Sequence, residues 1–266
     1  MIDTLNNKYM KEMCKFAVMD GKRLRPIIGY SILNSTNLQK NEDIKYIISG
    51  IELLHNASLI IDDIMDGDIY RRGKKTVCAV YGNNMAQLIS AELIRLFYKS
   101  VINMSYKLNA NHEKILCNTF DSNFEKLISG QYYDLVNIKN DKTTKIIDQK
   151  TGSLFEMIFV SSWILSNPKN INDVDKVKEI AIHFGIMYQI YDDFTDYYND
   201  KYNDKYNYVI IVGIQEGNNI FMNNYNAFYD LAEKINILSE ELKIIISYLK
   251  TCVVEIYQYI DKKIEI

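Results

Sequence analysis

Only two prolines, Pro26 and Pro168, and 11 glycines punctuate a chain of 266 residues. So few breakers leave little room for the tight turns that hairpins, sandwiches and barrels need. In residues 43–61, Ile44, Ile47, Ile48, Ile51, Leu54, Ala57 and Ile61 recur at the three- and four-residue spacing of a helix with a buried stripe. Similar patterns cover about 84–107, 113–137, 142–165, 173–198, 219–234 and 239–264. The abundance of Ile and Tyr raises β propensity locally, yet long stretches without a breaker favour helices, and propensity is the weaker argument. The expected fold is all-α: a single domain over residues 1–266, built as a large helical bundle around a central cavity. The tandem Asp-Lys-Tyr-Asn repeat at 200–207 reads as a polar loop.

With 48% hydrophobic and 24% charged residues the chain has ample material for a core. A net charge of −3 gives no basic excess of the kind nucleic acid selects. The first residues show no leader pattern, and no segment holds the roughly 18 uninterrupted apolar residues of a membrane span. A soluble, cytoplasmic protein is expected. Cys14, Cys78, Cys117 and Cys252 lack paired spacing, so they read as reduced thiols rather than zinc ligands or a disulfide frame.

Two aspartate clusters of identical spacing stand out: DDIMD, with Asp62, Asp63 and Asp66, and DDFTD, with Asp192, Asp193 and Asp196. On a helix, positions i and i+4 share a face, so Asp62 would project with Asp66 and Asp192 with Asp196. Two such pairs facing each other would form an oxygen-rich site suited to Mg²⁺ ions carrying a phosphate-bearing ligand. One such cluster alone is as readily a solvated helix end. A calcium loop is excluded, because counting from Asp62 places Ile64 at the third position and Gly73 where the bidentate Glu belongs. Both clusters follow apolar runs, Ser58–Ile61 and Met187–Tyr191, and unpaired buried carboxylates are costly.

A second constellation is basic. Gly21-Lys22-Arg23-Leu24-Arg25-Pro26 sets three cations beside a helix-starting proline, and Arg71-Arg72-Gly73-Lys74-Lys75 sets four more after the first aspartate cluster. Either alone reads as solvated charge. Beside metal-binding acids, arginines able to make forked contacts supply what holds a diphosphate and lets it leave. His55, on or near the apolar stripe, would by itself be a core histidine.

These residues resemble the trans-prenyl diphosphate synthases of the polyprenyl synthetase family, most closely those of the eukaryotic geranylgeranyl type. The resemblance runs from about residue 20 to 198. It rests on GKRLRP at 21–26, ELLHNASLIIDDIMD at 52–66, RRG at 71–73, GQYYDL at 130–135, KTGSLFEM at 150–157 and YQIYDDFTD at 188–196. It implies a homodimeric helical bundle in which Asp62, Asp63, Asp66, Asp192, Asp193 and Asp196 bind Mg²⁺, about three ions, replaceable by Mn²⁺ or another divalent metal. Lys22, Arg25, His55 and Arg72 match residues for the diphosphate of isopentenyl diphosphate. Arg71, Lys150 and Lys205 match cations on the side of the allylic prenyl diphosphate, with Thr151 and Gln189 near the reacting carbons. The implied reaction ionises the allylic diphosphate and condenses it with isopentenyl diphosphate. Ala57 and Ser58 would line the product tunnel, where small side chains favour a long, geranylgeranyl-like product.

Two departures from the family pattern are visible. Asp20 stands in place of a glycine, and the segment after the second aspartate cluster is shortened to the Lys-Tyr-Asn-Asp repeat, with Lys205 as the remnant of a family lysine. Two other functions therefore stay open. A terpene synthase derived from this scaffold would ionise and cyclise one prenyl diphosphate, and a non-catalytic subunit would serve a heteromeric synthase.

Overall fold

The structure is a computed structural model that describes residues 1–34, 42–136, 151–166, 171–203 and 205–264. Among these residues the fold is all-α, as the breaker-poor sequence requires, with one two-stranded exception. In chain order the helices are α1 (Lys8–Val18), α2 (Leu24–Asn34), α3 (Glu42–Asp66), α4 (Val77–Tyr81), α5 (Asn83–Ser105) and α6 (Ala110–Leu135). They continue with α7 (Ser153–Ser166), α8 (Val174–Thr195), α9 (Tyr197–Tyr202), α10 (Tyr208–Val212), α11 (Ile214–Lys234) and α12 (Glu240–Ile264). Between α3 and α4, β1 (Tyr70–Arg71) and β2 (Lys74–Lys75) form an antiparallel hairpin.

Local chemistry sets the boundaries. The Asn7 side chain accepts a hydrogen bond from the Met10 amide and caps α1. Pro26 lies in the first turn of α2, where its missing N–H is not needed. The hairpin turns at Arg72 (φ 53°) and Gly73 (φ 77°), the pair of positive φ angles that a two-residue loop demands. Such short strands carry no alternating pattern, so the sequence does not announce them. The helix expected over 173–198 breaks at Asp196 (φ −95°, ψ 4°) and restarts as α9. The expected loop at 200–207 is thus corrected: its first three residues belong to α9, because the backbone amide of Asp200 still bonds the Asp196 carbonyl. The early part of the helix expected over 142–165 lies outside the described residues.

The chain divides into two compact units, Met1–Tyr30 with Leu38–Asp121 and Ser31–Asn37 with Ser122–Ile266. In the first, α3 packs chiefly against α5. Leu53, Ala57 and Ile60 of α3 meet Ala86, Ile89, Leu93 and Leu96 of α5 and Cys14 of α1 in a buried cluster. Ile60, not the expected Ile61, completes that face. From Ile44 to Asp66, α3 is long and apolar enough to cross a membrane by length and composition, contrary to the expectation that no segment is. Most of that length is buried within the protein, and it ends in three aspartates.

The second unit is organised by rings. Phe155 and Phe159 of α7, Phe184 of α8 and Phe228 of α11 stack edge-on or tilted, with centroids 4.8 Å apart for Phe155–Phe184 and 6.0 Å for Phe184–Phe228. Burying each such ring contributes ~1.5–3 kcal/mol, and the cluster seats α8, whose C-terminal end carries the second aspartate motif. All four cysteines are free.

Gly50 marks the closest approach of α3 to α5: a Cβ there would stand 2.1 Å from Ser100 Oγ and 3.0 Å from Ser100 Cβ. Gly50→Ala is expected to lower stability by about 1–3 kcal/mol despite the better helix propensity of alanine. Thermal melts of Gly50→Ala alone and with Ser100→Ala test this, since trimming Ser100 should restore part of the loss.

Candidate active site

In the first unit the site grows from α3. Helical spacing puts His55, Ser58 and Asp62 on one face, while Ala57, one residue before Ser58, turns into the core with Leu53 and Ile60. Ala57 is fully buried, and its carbonyl accepts a hydrogen bond from Ser90 Oγ of α5 at 3.1 Å. The expectation that Ala57 and Ser58 line one tunnel wall together is therefore corrected: residues ~100° apart on a helix cannot share a face, and only Ser58 stays on the side of His55.

The aspartates of DDIMD differ in environment. Asp66 is exposed at the end of α3, Asp62 is buried, and Asp63 is more deeply buried. The Asp63 carboxylate accepts a hydrogen bond from Arg71 Nε at 2.6 Å. Burial pushes the Asp63 carboxyl up from its ordinary range, and the Arg71 bond pulls it back down. Cross-strand pairing places Arg71 opposite Lys74. Arg71 is fastened to Asp63 on α3, and Lys74 to Asp20 at 2.6 Å, so the hairpin is tied to both neighbouring segments.

The GKRLRP segment meets the hairpin here. A Cβ on Gly21 would lie 3.5 Å from Arg72 Nη1. Arg23 Nη1 bonds Glu52 Oε1 at 3.0 Å, and Arg23 Nη2 bonds the Val18 carbonyl. Arg23 and Arg72 both hold φ of 53°, a left-handed conformation that costs a non-glycine residue about 1–3 kcal/mol and concentrates at functional sites. His55 is held well below its ordinary 6.5, first by burial and then by the charges of Arg25, Arg72, Arg71 and Arg23. A neutral imidazole facing four guanidinium groups waits for an anion. A cavity of about 80 Å³, lined in part by Asn56, Asp63, Arg71, Arg72 and Lys74, opens beside these groups. Lys22 is exposed on the same segment, and Arg25 is buried in the first turn of α2.

In the second unit a chain of hydrogen bonds runs through the DDFTD motif. Thr151 Oγ1 donates to Gln189 Oε1 at 3.0 Å, and Gln189 Nε2 donates to Asp193 Oδ1 at 2.9 Å. The backbone amide of Tyr208 donates to Asp193 Oδ2 at 2.9 Å. Asp193 is 5% exposed, and burial pushes its carboxyl up to about 6. Asp192 is half-buried and Asp196 exposed. The Lys205 backbone amide bonds the Asp200 carbonyl at 2.9 Å, which folds the shortened segment back toward α9. Lys150 lies outside the described residues.

Both motifs therefore share a division. The middle carboxylate, Asp63 or Asp193, is engaged by protein donors, and the flanking pair is more exposed. Among the described residues no three His, Cys, Asp or Glu side chains form a preformed metal cluster. The flanking carboxylates nonetheless fit Mg²⁺, a hard cation ordinarily held through one or two carboxylates with substrate phosphates and water completing its shell. Sequence reasoning missed the roles of Arg23, Glu52 and Asn207. The first could have been suspected from its place in GKRLRP, whereas the other two act through contacts between distant segments.

The polyprenyl synthetase family model matches residues 7–225. A hexaprenyl pyrophosphate synthase of Saccharolobus solfataricus is 32% identical over 188 residues, 70% of this chain and 62% of that protein. A farnesyl diphosphate synthase of Micrococcus luteus is 27% identical over 248 residues, 86% of this chain and 84% of that protein. The chain thus spans less than two thirds of the first relative and most of the second. A geranyltranstransferase structure from Thermotoga maritima superimposes with a TM-score of 0.79 at 25% identity, covering 96% of this chain and 93% of that one. By the extent of the family match and the fold it shares with these relatives, this chain is a member of the polyprenyl synthetase family.

Proposed function

We propose that the protein is a prenyl diphosphate synthase that condenses an allylic prenyl diphosphate with isopentenyl diphosphate into a longer chain. The observation that carries this reading is the gathering of Arg25, His55, Arg71 and Arg72 beside the first aspartate motif. An enzyme that cyclises one prenyl diphosphate has no use for a second anion pocket, and an inert subunit has no use for two backbone-strained arginines. The names of the relatives support the same class of reaction.

In this reading Asp62 and Asp66 of one motif and Asp192 and Asp196 of the other hold Mg²⁺. The bound metal neutralises charge as the allylic diphosphate departs. Lys22, Arg25 and Arg72 bind the diphosphate of isopentenyl diphosphate, and His55 adds a hydrogen bond from its imidazole. Arg71, oriented by Asp63, and Lys205 steady the allylic side, as Lys150 would. The Thr151–Gln189 pair faces the reacting carbons. The allylic C–O bond ionises, the isopentenyl double bond attacks the cation, and loss of a proton completes the product. Apolar surroundings keep water from capturing the cation. Ser58 governs the path of the growing chain. A cytoplasmic homodimer is the form we propose.

With Mg²⁺, farnesyl diphosphate and isopentenyl diphosphate, mass spectrometry should show a longer prenyl diphosphate only when both substrates are present. A hydrocarbon or alcohol from farnesyl diphosphate alone would contradict the reading. Arg25→Ala should raise the KM for isopentenyl diphosphate about ten- to a hundred-fold, the loss of ~1.5–3 kcal/mol of charge-assisted bonding, and leave the allylic KM nearly unchanged.

Ser58→Phe should shorten the product and keep activity. Ala57→Phe should instead overpack the α3–α5 core and lower stability by ~1–3 kcal/mol, visible as a lower melting temperature.

The depressed His55 also makes a pH prediction. Below its ordinary 6.5 the unfolded chain takes up a proton that the native site refuses, so stability present above that pH is lost as pH falls. Denaturant titrations from pH 7 to 5 should show that His55→Gln removes about one proton from the slope, ~1.4 kcal/mol per pH unit.

A further inference from the structure

Asn207 is 1% exposed, follows the shortened Lys-Tyr-Asn-Asp segment, and has both ends of its side-chain amide engaged. Its Nδ2 donates to the Asp193 carbonyl at 2.7 Å and to Asp200 Oδ2 at 3.1 Å. Its Oδ1 accepts from the Ile210 amide at 3.1 Å and caps α10. The next residue, Tyr208, donates its backbone N–H to the Asp193 carboxylate. One dipeptide thus ties the last turn of α8, the body of α9 and the start of α10 to the residue at the centre of the second aspartate motif.

The capping bond alone would make Asn207 a structural residue. The two Nδ2 bonds have another consequence. Carbonyls in the last turn of a helix lack intrahelical partners and must find them elsewhere. Here the Asp193 carbonyl is satisfied from within the protein, at the point where α8 breaks and α9 leaves at Asp196. The direction in which Asp192 and Asp196 project depends on how that break is held. Asp200, whose carboxylate takes the second Nδ2 proton, is fixed by the same amide.

We propose that Asn207 is a positioning residue for the metal-binding carboxylates of the second aspartate motif, and that its clamp on Asp193 and Asp200 sets their aim toward Mg²⁺. The clamp does locally what a longer segment would otherwise do by wrapping over the motif. The proposal rests on the metal role given above to Asp192 and Asp196. Asn207 touches neither substrate nor metal.

The test uses Asn207→Ser and Asn207→Asp, which both keep a side-chain oxygen to cap α10 and remove the amide donor. Mg²⁺ is titrated in the presence of inorganic pyrophosphate, with the rise in melting temperature as the readout, alongside steady-state kinetics. In both variants the Mg²⁺ concentration at half-maximal stabilisation should rise at least ten-fold, while the KM for isopentenyl diphosphate stays within two-fold. A structural role alone would lower the melting temperature of the metal-free protein and leave the Mg²⁺ midpoint where it is. An unchanged midpoint in either folded variant, or a wild-type protein that Mg²⁺ with pyrophosphate does not stabilise, overturns the proposal. If the wild type binds Mg²⁺ and pyrophosphate but makes no elongated product, the elongation reading fails and the comparison of midpoints still decides the role of Asn207.

Discussion

Each aspartate motif depends on withdrawing its middle carboxylate from water and giving it donors from the protein. A buried carboxylate without partners is costly, so the segments that supply the donors cannot drift without exposing that cost. Asp63 therefore holds the β-hairpin through Arg71, and Asp193 holds the start of α10 through the Tyr208 amide and α7 through Gln189 and Thr151. The outer aspartates inherit fixed positions from this anchoring and keep their oxygens for a ligand.

The same logic explains the concentration of positive charge. Arg23, Arg71 and Lys74 are each matched to an acid, Glu52, Asp63 and Asp20, so the loops that carry them are ordered before any anion arrives. Arg72 sits at the tip of the hairpin in a left-handed turn position beside GKRLRP. The strain at Arg23 and Arg72 persists because the surrounding pairs over-determine the backbone. Preorganised cations of this kind stabilise a departing diphosphate without reorganising during reaction.

Much of this was legible in the chain. Spacing alone located the long helices, because an apolar stripe uninterrupted by proline has few alternatives to a buried helix. The aspartate motifs and basic segments were visible as residue types in a pattern. What the sequence did not disclose depended on direction and on tertiary return. Ala57 and Ser58 are adjacent letters that face different ways. Asp192, Asp193 and Asp196 look equivalent until Tyr208 returns to one of them. Asn207 lies in a low-complexity stretch that reads as a solvated loop, and only the fold-back of α10 turns it into a buried clamp. The helix break at Asp196 falls without proline or glycine, so nothing local marked it.

The central claim is the division of labour within each motif, with the middle carboxylate anchoring the fold and the outer pair serving the metal. The most direct measurement compares Asp63→Asn and Asp193→Asn with Asp62→Asn and Asp192→Asn, recording the melting temperature of the metal-free protein and the Mg²⁺ dependence of turnover for each. The account predicts that the middle substitutions shift chiefly the melting temperature, and that the outer ones leave it nearly in place while turnover at saturating Mg²⁺ collapses. Collapse of turnover with an unmoved melting temperature in the middle variants, matching the outer ones, would contradict it.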